Sequence, residues 1–318
     1  MLCDALGIEA EFASSGTYNL ATMTKSKQIH IPTVKSREIW LLYQVLDIKQ
    51  KMPNQQFSDA EHAEIYSSHR PDIPAEIAEI SVDFLKQKFV GALDLAVDVG
   101  CGSGQSSVVL SPFFSLVHAI DASEAQIQEA RKNRAAANLI YSVQEAETLP
   151  FESGSVQLVT AGASLHWFDP KIFFKEVRRV LAPEGVFVTY TYHSLRPSLD
   201  CPRLSKEADL VYQTLYSYWP QEVHSSLEKY ENICFPFEEV LRIPKIRQKF
   251  TGTFSDLIGF VESLSAFQIM KKKDKSKAEN LIKVFRKRLE ELLMTPNQPS
   301  STAIKLYRDF YCILCRKD

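Results

Sequence analysis

Residues 97–105 read Val97-Asp98-Val99-Gly100-Cys101-Gly102-Ser103-Gly104-Gln105. The stretch closes a short apolar run, Leu93 to Val99, and opens a helical pattern, Gly104 to Leu110. A tight turn needs one or two glycines. Three at alternate positions, in a chain with only 11, point to more than a turn. Glycine permits positive φ and lets a ligand approach the backbone, and the next helix offers free N–H groups to an anionic group. A dinucleotide fingerprint, G-x-G-x-x-G, fails in both registers, because Gln105 and Ser107 stand where its third glycine belongs. Asp121 lies 17 residues beyond Gly104, at the end of the second apolar run. A carboxylate there can accept hydrogen bonds from a ribose diol. Ser123 is free to cap the following helix in its place.

Working outward, strands alternate with helices. Apolar runs at Leu93–Val99, Leu116–Ile120, Leu139–Val143, Val156–Ala161 and Gly185–Tyr192 are separated by helical patterns at Gly104–Leu110, Ser123–Ala137 and Pro170–Leu181. This rhythm predicts an α/β fold, a mostly parallel sheet with helices on both faces, with ligands beyond the carboxyl ends of the strands. Upstream, a helix opens near Ser58-Asp59, the segment Arg70-Pro71-Asp72-Ile73-Pro74 breaks it, and a second helix runs from about Ala75 to Phe89. Downstream, the rhythm lapses between Leu195 and Met294. A strand over Ile246–Phe254, helices over Ser255–Ile269 and Asn280–Met294, and a last strand over Ala303–Cys315 are expected. Residues 1–52, polar from Ser14 to Lys35, read as an extension with little order or a short helix at Ser36–Ile48, and Met23 and Met52 are alternative starts.

Composition narrows the function. The 318 residues are 45% hydrophobic and 24% charged, an ordinary globular balance. A net charge of −2 gives no global basic field for nucleic acid. The lysines of 271–277 read as a solvated helix end. No apolar run is long enough for a membrane span. The N-terminus lacks the basic start and apolar centre of a secretory signal, so the cytosol is expected. Six scattered cysteines suggest no disulfide framework. Cys312 and Cys315 fall on opposite faces of a strand, so no metal site is expected.

VDVGCGSGQ resembles motif I of the class I S-adenosylmethionine-dependent methyltransferases, and AIDASEAQIQEAR resembles their acidic strand end and following helix. QEAETLPFESGSVQLVTAGASLHWFD resembles the stretch over strands three and four in the ubiquinone/trans-aconitate methyltransferase-like (type 11) subgroup. EVRRVLAPEGVFV, FSDAEHAEIYSSHRP and SDLIGFVESLSAFQ resemble further segments of that subgroup, so the likeness runs from about Phe57 to the C-terminus. It implies a Rossmann-like, seven-stranded, mostly parallel sheet in residues 53–318, with a helical substrate cap formed by 57–90 and 203–294. Two departures stand out: Gln144-Glu145 replaces the usual Gly-Asp, and Glu184-Gly185 replaces the usual Gly-Gly.

The resemblance implies S-adenosylmethionine as cofactor. Gly100, Cys101, Gly102 and Gly104 would line its methionine part, with Asp98 supporting the loop or reaching the amino group. Asp121 would take the ribose hydroxyls, and Ala122, Glu145 and Ala146 would border the adenine. His166 is the candidate catalytic residue: it can orient an acceptor, bind a carboxylate or act as a base. Trp167 would wall the site. Tyr66, His69 and Arg70 would form part of a lid, with Arg70 able to pair with a substrate carboxylate. The expected partner is a small-molecule methyl acceptor, reacting through a carboxylate or hydroxyl oxygen. The alternatives are C-methylation of a quinone or sterol-type precursor and a non-catalytic domain that binds the cofactor or a partner protein. A nucleic-acid methyltransferase ranks lower: Ala161-Gly162-Ala163-Ser164 stands where an Asn/Asp-Pro-Pro-Tyr/Phe motif would lie.

Overall fold

The computed structural model describes residues 60–292, apart from 71, 193 and 198–201, together with 303–318. It also describes the backbone of 8–13, 17–24, 27–30 and 34–35. Residues 1–53 form a unit of their own. Where little order was expected, that unit carries four antiparallel strands: β1 Ile8–Ala13, β2 Thr17–Thr24, β3 Lys27–His30 and β4 Val34–Lys35. The helix expected at Ser36–Ile48 lies outside the described residues.

The second unit begins with helices α1 Ala60–His69 and α2 Ala75–Lys86. Strand–helix alternation follows: β5 Leu95–Val99, α3 Gln105–Leu110, β6 Leu116–Asp121, α4 Glu124–Asn133, β7 Leu139–Val143, β8 Val156–Gly162, α5 Pro170–Val180 and β9 Leu181–Tyr192. After the two-residue β10 (Arg196–Pro197) come α6 Pro202–Leu215, β11 Glu239–Thr253, α7 Phe254–Glu262, α8 Ser265–Lys273, α9 Lys275–Leu292 and β12 Ala303–Arg316. The main sheet runs β7-β6-β5-β8-β9-β12-β11, with β10 beside the start of β12. The first five of these strands are parallel, and β12 lies antiparallel between β9 and β11. This is the seven-stranded class I order. β5, between β6 and β8, feeds the glycine loop.

Alternation along the strands sorts the core into two faces. Val97, Val159, Phe187 and Cys315 pack with Phe173, Phe174 and Val177 of α5. Ala96, Leu158, Val188 and Cys312 pack with Ile77, Phe84 and Leu85 of α2. The two cysteines therefore face opposite sides of the sheet. A third cluster joins α6, α7, α8 and α9 into the cap.

The structure also departs from the sequence reading further along the chain. β11 starts seven residues earlier than expected, at Glu239 rather than Ile246. A register shift between Ile243 and Ile246 brackets Pro244, which has no N–H for the ladder and so interrupts the apolar pattern. The single helix expected over Ser255–Ile269 is two, α7 and α8, with a break at Ser263-Leu264. Glu184, where glycine is usual, adopts a left-handed φ of 60°. No helix among the described residues is long and apolar enough to cross a membrane.

Two contacts hold α1 over the carboxyl ends of the strands. Asn133 of α4 donates to Ser67 Oγ (3.2 Å), and the His69 ring lies directly on the backbone of Gly259 in α7, where a Cβ would collide with it. Gly259→Leu is therefore expected to lower unfolding stability by about 1–3 kcal/mol through overpacking. Urea denaturation measures this, and an unchanged midpoint would show that α1 does not rest on α7.

Candidate functional site

Asp98, at the end of β5, is fully buried. Ser106 and Ser107 of α3 donate to its Oδ2 at 2.6 Å each, and Thr160 of β8 donates to its Oδ1 at 2.7 Å. Burial raises its pKa, and the three hydroxyls oppose that rise. Both oxygens are thus spent on the walls of the loop. The loop itself turns through left-handed residues, with φ of 67° at Gly100, 54° at Gly102 and 85° at Gly104. A Cβ on Gly100 would stand 2.6 Å from Ser164 Cβ, and one on Gly104 would meet the Tyr141 hydroxyl. Gly102 differs: a Cβ there would find only Gln126 Oε1 at 3.7 Å and Tyr66 Cε1 at 4.0 Å. Its outer face is open to a ligand. Burial, then the Asp121 and Asp98 charges, drive the Cys101 thiol well up, so it is inert.

Asp121 reaches the loop as well. Its Oδ2 accepts the Gly102 N–H (2.9 Å) and its Oδ1 accepts the Ser123 N–H (2.8 Å). Ser123 Oγ accepts from Gln126 N (3.3 Å), so it caps α4 as expected. A carboxylate has about four acceptor positions; two remain for a diol. Ala122 and Glu145 are exposed close by, Ala146 is buried, and Gln144 N donates to the Asp121 carbonyl (3.0 Å). Burial raises the Asp121 pKa against its backbone hydrogen bonds, and Glu145 adds to the rise. S-adenosylmethionine fits this donor set. Gln126 Oε1 is buried without a hydrogen-bond partner among the described residues, beside the open face of Gly102, and can receive the ammonium of the methionine part. Asp121 suits the ribose.

A cavity of about 90 Å³ lies at the end of α1. It is lined by four of the predicted residues, Tyr66, Arg70, His166 and Trp167, and by Tyr192 and Trp219. His69 faces Gly259 instead and does not line it. Arg70 donates to Ser263 Oγ (2.8 Å), the Ser263 carbonyl (3.3 Å) and the Tyr192 hydroxyl (2.7 Å). Its guanidinium sits over the rings of Tyr66 (4.6 Å) and Phe260 (4.7 Å). It makes no ion pair among the described residues. Burial opposes its charge, but Tyr192 and Tyr66 outweigh burial and raise its pKa. A second guanidinium, Arg308 of β12, is fully buried over the Tyr192 ring (4.4 Å). Burial would raise the Tyr192 pKa, yet Arg70 and Arg308 bring it down.

His166 occupies a 3-10 turn, Leu165–Trp167, just past β8. Its Nδ1 lies 2.9 Å from the Tyr230 hydroxyl. Burial lowers its pKa to about 3, so the ring is neutral near pH 7 and a weak base. The sequence reading missed Tyr192, Tyr230, Gln126, Ser263 and Arg308. Only Arg308 left a trace: it takes an inward register position in β12 between Leu306 and Phe310.

A β5–loop–α3 unit with an acidic β6 end, set in this strand order beside a cavity, is the class I methyltransferase fold. A profile of the methyltransferase domain family, type 11, matches residues 97–189. A Dictyostelium discoideum protein bearing a provisional methyltransferase name is 29% identical over 212 residues, covering 64% of this chain and 74% of that one. A Saccharomyces cerevisiae protein provisionally named an S-adenosylmethionine-dependent methyltransferase is 28% identical over 132 residues, 40% of this chain and 44% of that one. This chain thus spans less than half the length of the yeast protein. A solved structure from Anaeromyxobacter dehalogenans, provisionally a type II methyltransferase, superimposes with a TM-score of 0.63 at 27% identity, covering 78% of this chain and 97% of that one. The chain carries a methyltransferase type 11 domain, and its homologues and structural neighbours include S-adenosylmethionine-dependent methyltransferases.

Asp121→Ala is expected to weaken binding of the demethylated cofactor about 10- to 100-fold, or roughly 1–3 kcal/mol for charge-assisted hydrogen bonds. Calorimetry measures this, and wild-type affinity in the variant would contradict the ribose assignment. His166 makes stability depend on pH. The folded ring protonates near pH 3, the unfolded one near 6.5, so between these values the unfolded chain binds more protons. The stability due to the neutral ring is complete above pH 6.5 and is lost as pH falls below it. Melting curves at pH 7 and pH 5 should show a smaller loss for His166→Gln than for wild type; equal losses would mean that His166 is not held neutral.

Proposed function

We propose that the protein methylates an oxygen of a small-molecule carboxylate. One observation carries the reading: Arg70 is a guanidinium on the cavity wall with no ion-pair partner among the described residues. A desolvated cation without a counter-ion is costly, and an anionic acceptor supplies one. The cavity volume, about 90 Å³, suits a small acceptor.

S-adenosylmethionine, when bound, supplies a methyl group on a sulfonium that already contains the leaving group. The chain's task is alignment. The Gly100–Gly104 loop, Gln126 and Asp121 hold the cofactor at the ends of β5 and β6. Arg70, fixed by Ser263 and Tyr192, holds the acceptor. Such positioning accounts for much of the acceleration in an in-line displacement. A carboxylate is already a nucleophile, so no residue has to remove a proton. This agrees with an imidazole too weakly basic to do so at neutral pH. Trp167, Trp219 and Phe260 line the cavity with apolar surface, and a low local polarity strengthens the attraction between Arg70 and a carboxylate.

A screen of metabolite pools with methyl-labelled cofactor should give methyl esters of small acids. Arg70→Ala should cut kcat/KM for such an acid about 10- to 150-fold, the equivalent of about 1.5–3 kcal/mol for a hydrogen bond to a charged group, and should leave cofactor affinity within about twofold. Labelling of neutral acceptors alone, untouched by Arg70→Ala, would overturn the proposal.

A further inference from the structure

We propose that Tyr66 is a positioning residue that couples occupancy of the cofactor loop to the set of the Arg70 guanidinium, so that a bound cofactor prepares the cavity for the acceptor. The inference rests on the carboxylate reading only for what Arg70 then receives; the coupling stands on the placement of the Tyr66 ring.

Tyr66 belongs to α1, and the Arg70 N–H donates to its carbonyl (3.0 Å). This last helical turn sets the two side chains on one face. The Arg70 guanidinium accordingly lies over the Tyr66 ring, 4.6 Å from its centre. A cation over an aromatic face is attracted by the ring, and more strongly where water is scarce. Arg70 also touches Tyr192 of β9, Phe260 of α7 and Ser263 at the end of α7. None of these three comes within 4 Å of the Gly102 Cβ position. Tyr66 does: its Cε1 stands 4.0 Å from that position, beside Gln126 Oε1 at 3.7 Å. One ring therefore borders the open face of Gly102, lines the cavity and carries the cation.

The backbone around this ring is pinned on both sides. Ahead of Arg70, Ser67 Oγ accepts from Asn133 (3.2 Å). Past it, the Asp72 carbonyl accepts from Gln248 Nε2 (2.8 Å) and Arg308 Nη2 (3.1 Å), and Asp72 Oδ1 pairs with Arg134 Nη2 (2.9 Å). Tyr66 itself is only half-buried. A ligand on Gly102 thus acts on the ring and not on the backbone. With the methionine part of the cofactor against Gly102, the ring loses its open side and its range of orientations narrows. A group ordered by one ligand need not be ordered again for the next, which is positive coupling without a change of fold. The reverse follows: an acceptor that fixes Arg70 tightens cofactor binding by the same factor.

The test needs no acceptor. Arg70 Nε donates to Ser263 Oγ (2.8 Å), so exchange of this N–H with solvent reports how firmly the guanidinium is held. The full-length 15N-labelled protein is observed with and without saturating S-adenosylhomocysteine, the demethylated cofactor, and the signal is identified by its loss in Arg70→Ala. The ligand should slow this exchange about 5-fold or more, the scale of a coupling between sites. Arg316 Nε–H donates to Glu239 (2.8 Å) where β12 meets the start of β9, at the far end of that strand from Tyr192. Its exchange should change less than about twofold, because opening is local. Tyr66→Phe keeps the ring and should keep the slowing at Arg70; Tyr66→Leu should lose it. Equal exchange with and without the ligand in wild type would overturn the proposal. So would equal slowing at Arg316, which is general stabilisation, slowing that survives in Tyr66→Leu, or its loss in Tyr66→Phe. The wild-type and Tyr66→Phe comparisons remain decisive even if Tyr66→Leu does not fold. Labelling of neutral acceptors alone would remove the carboxylate reading and leave these exchange rates untouched, so the two readings fail separately.

Discussion

The Asp98 carboxylate is buried at the centre of the sheet and is held by hydroxyls, two from α3 and one from β8. Such a group can stay only if every donor is in place. Its three hydrogen bonds therefore fix the end of β5, the start of α3 and the neighbouring strand together. The glycine loop is suspended between them. Gly100 and Cys101 both donate to the Ile120 carbonyl (2.8 and 3.0 Å), and Asp121 holds Gly102 from β6. Loss of one hydroxyl would leave an unsatisfied charge under the loop, so the cofactor site depends on residues that never touch the cofactor.

The acceptor side is built on the opposite electrostatic plan. Its buried charges are guanidinia, Arg70 and Arg308, packed against tyrosine and phenylalanine rings. Helix α1 bridges the two halves: Tyr66 comes within 4.0 Å of the Gly102 Cβ position and lines the cavity, and Arg70 follows directly after α1. The same short segment thus closes over the glycine loop and delivers the cation on the cavity wall.

Those two halves were unequally legible in the sequence. The glycine loop, Asp121 and the strand rhythm were readable because each rests on neighbouring residues: positive φ at Gly100, Gly102 and Gly104, a carboxylate at a strand end, and a period of two or 3.6. The same holds for Cys312 and Cys315, whose offset of three placed them on opposite faces. The acceptor cavity was not readable, because its walls come from distant parts of the chain. Arg70 meets Ser263 across 193 residues and His166 meets Tyr230 across 64. His69 shows the limit of reading a segment whole. It lies beside Arg70 in sequence, yet its ring is spent on Gly259. Pro244 hid the first half of β11 because a bulge shifts the register that alternation depends on.

The opposed charges bear on the direction of the proposed reaction. Transfer of a methyl group from a sulfonium to a carboxylate removes one positive and one negative charge. Separated charges are poorly supported in a dry site and strongly attract one another there, so closure of the cavity favours the step that cancels them. On the proposed reading, Asp98 and Asp121 attract the cationic reactant and Arg70 the anionic one, which aids their assembly and not the transfer step itself. Neither stabilises the neutral products to the same degree. The ester no longer answers Arg70, whose oxygen partners are then Tyr192 and Ser263 among the described residues. In the proposed reaction, the electrostatics that assemble the reactants therefore loosen their hold once the methyl group has moved.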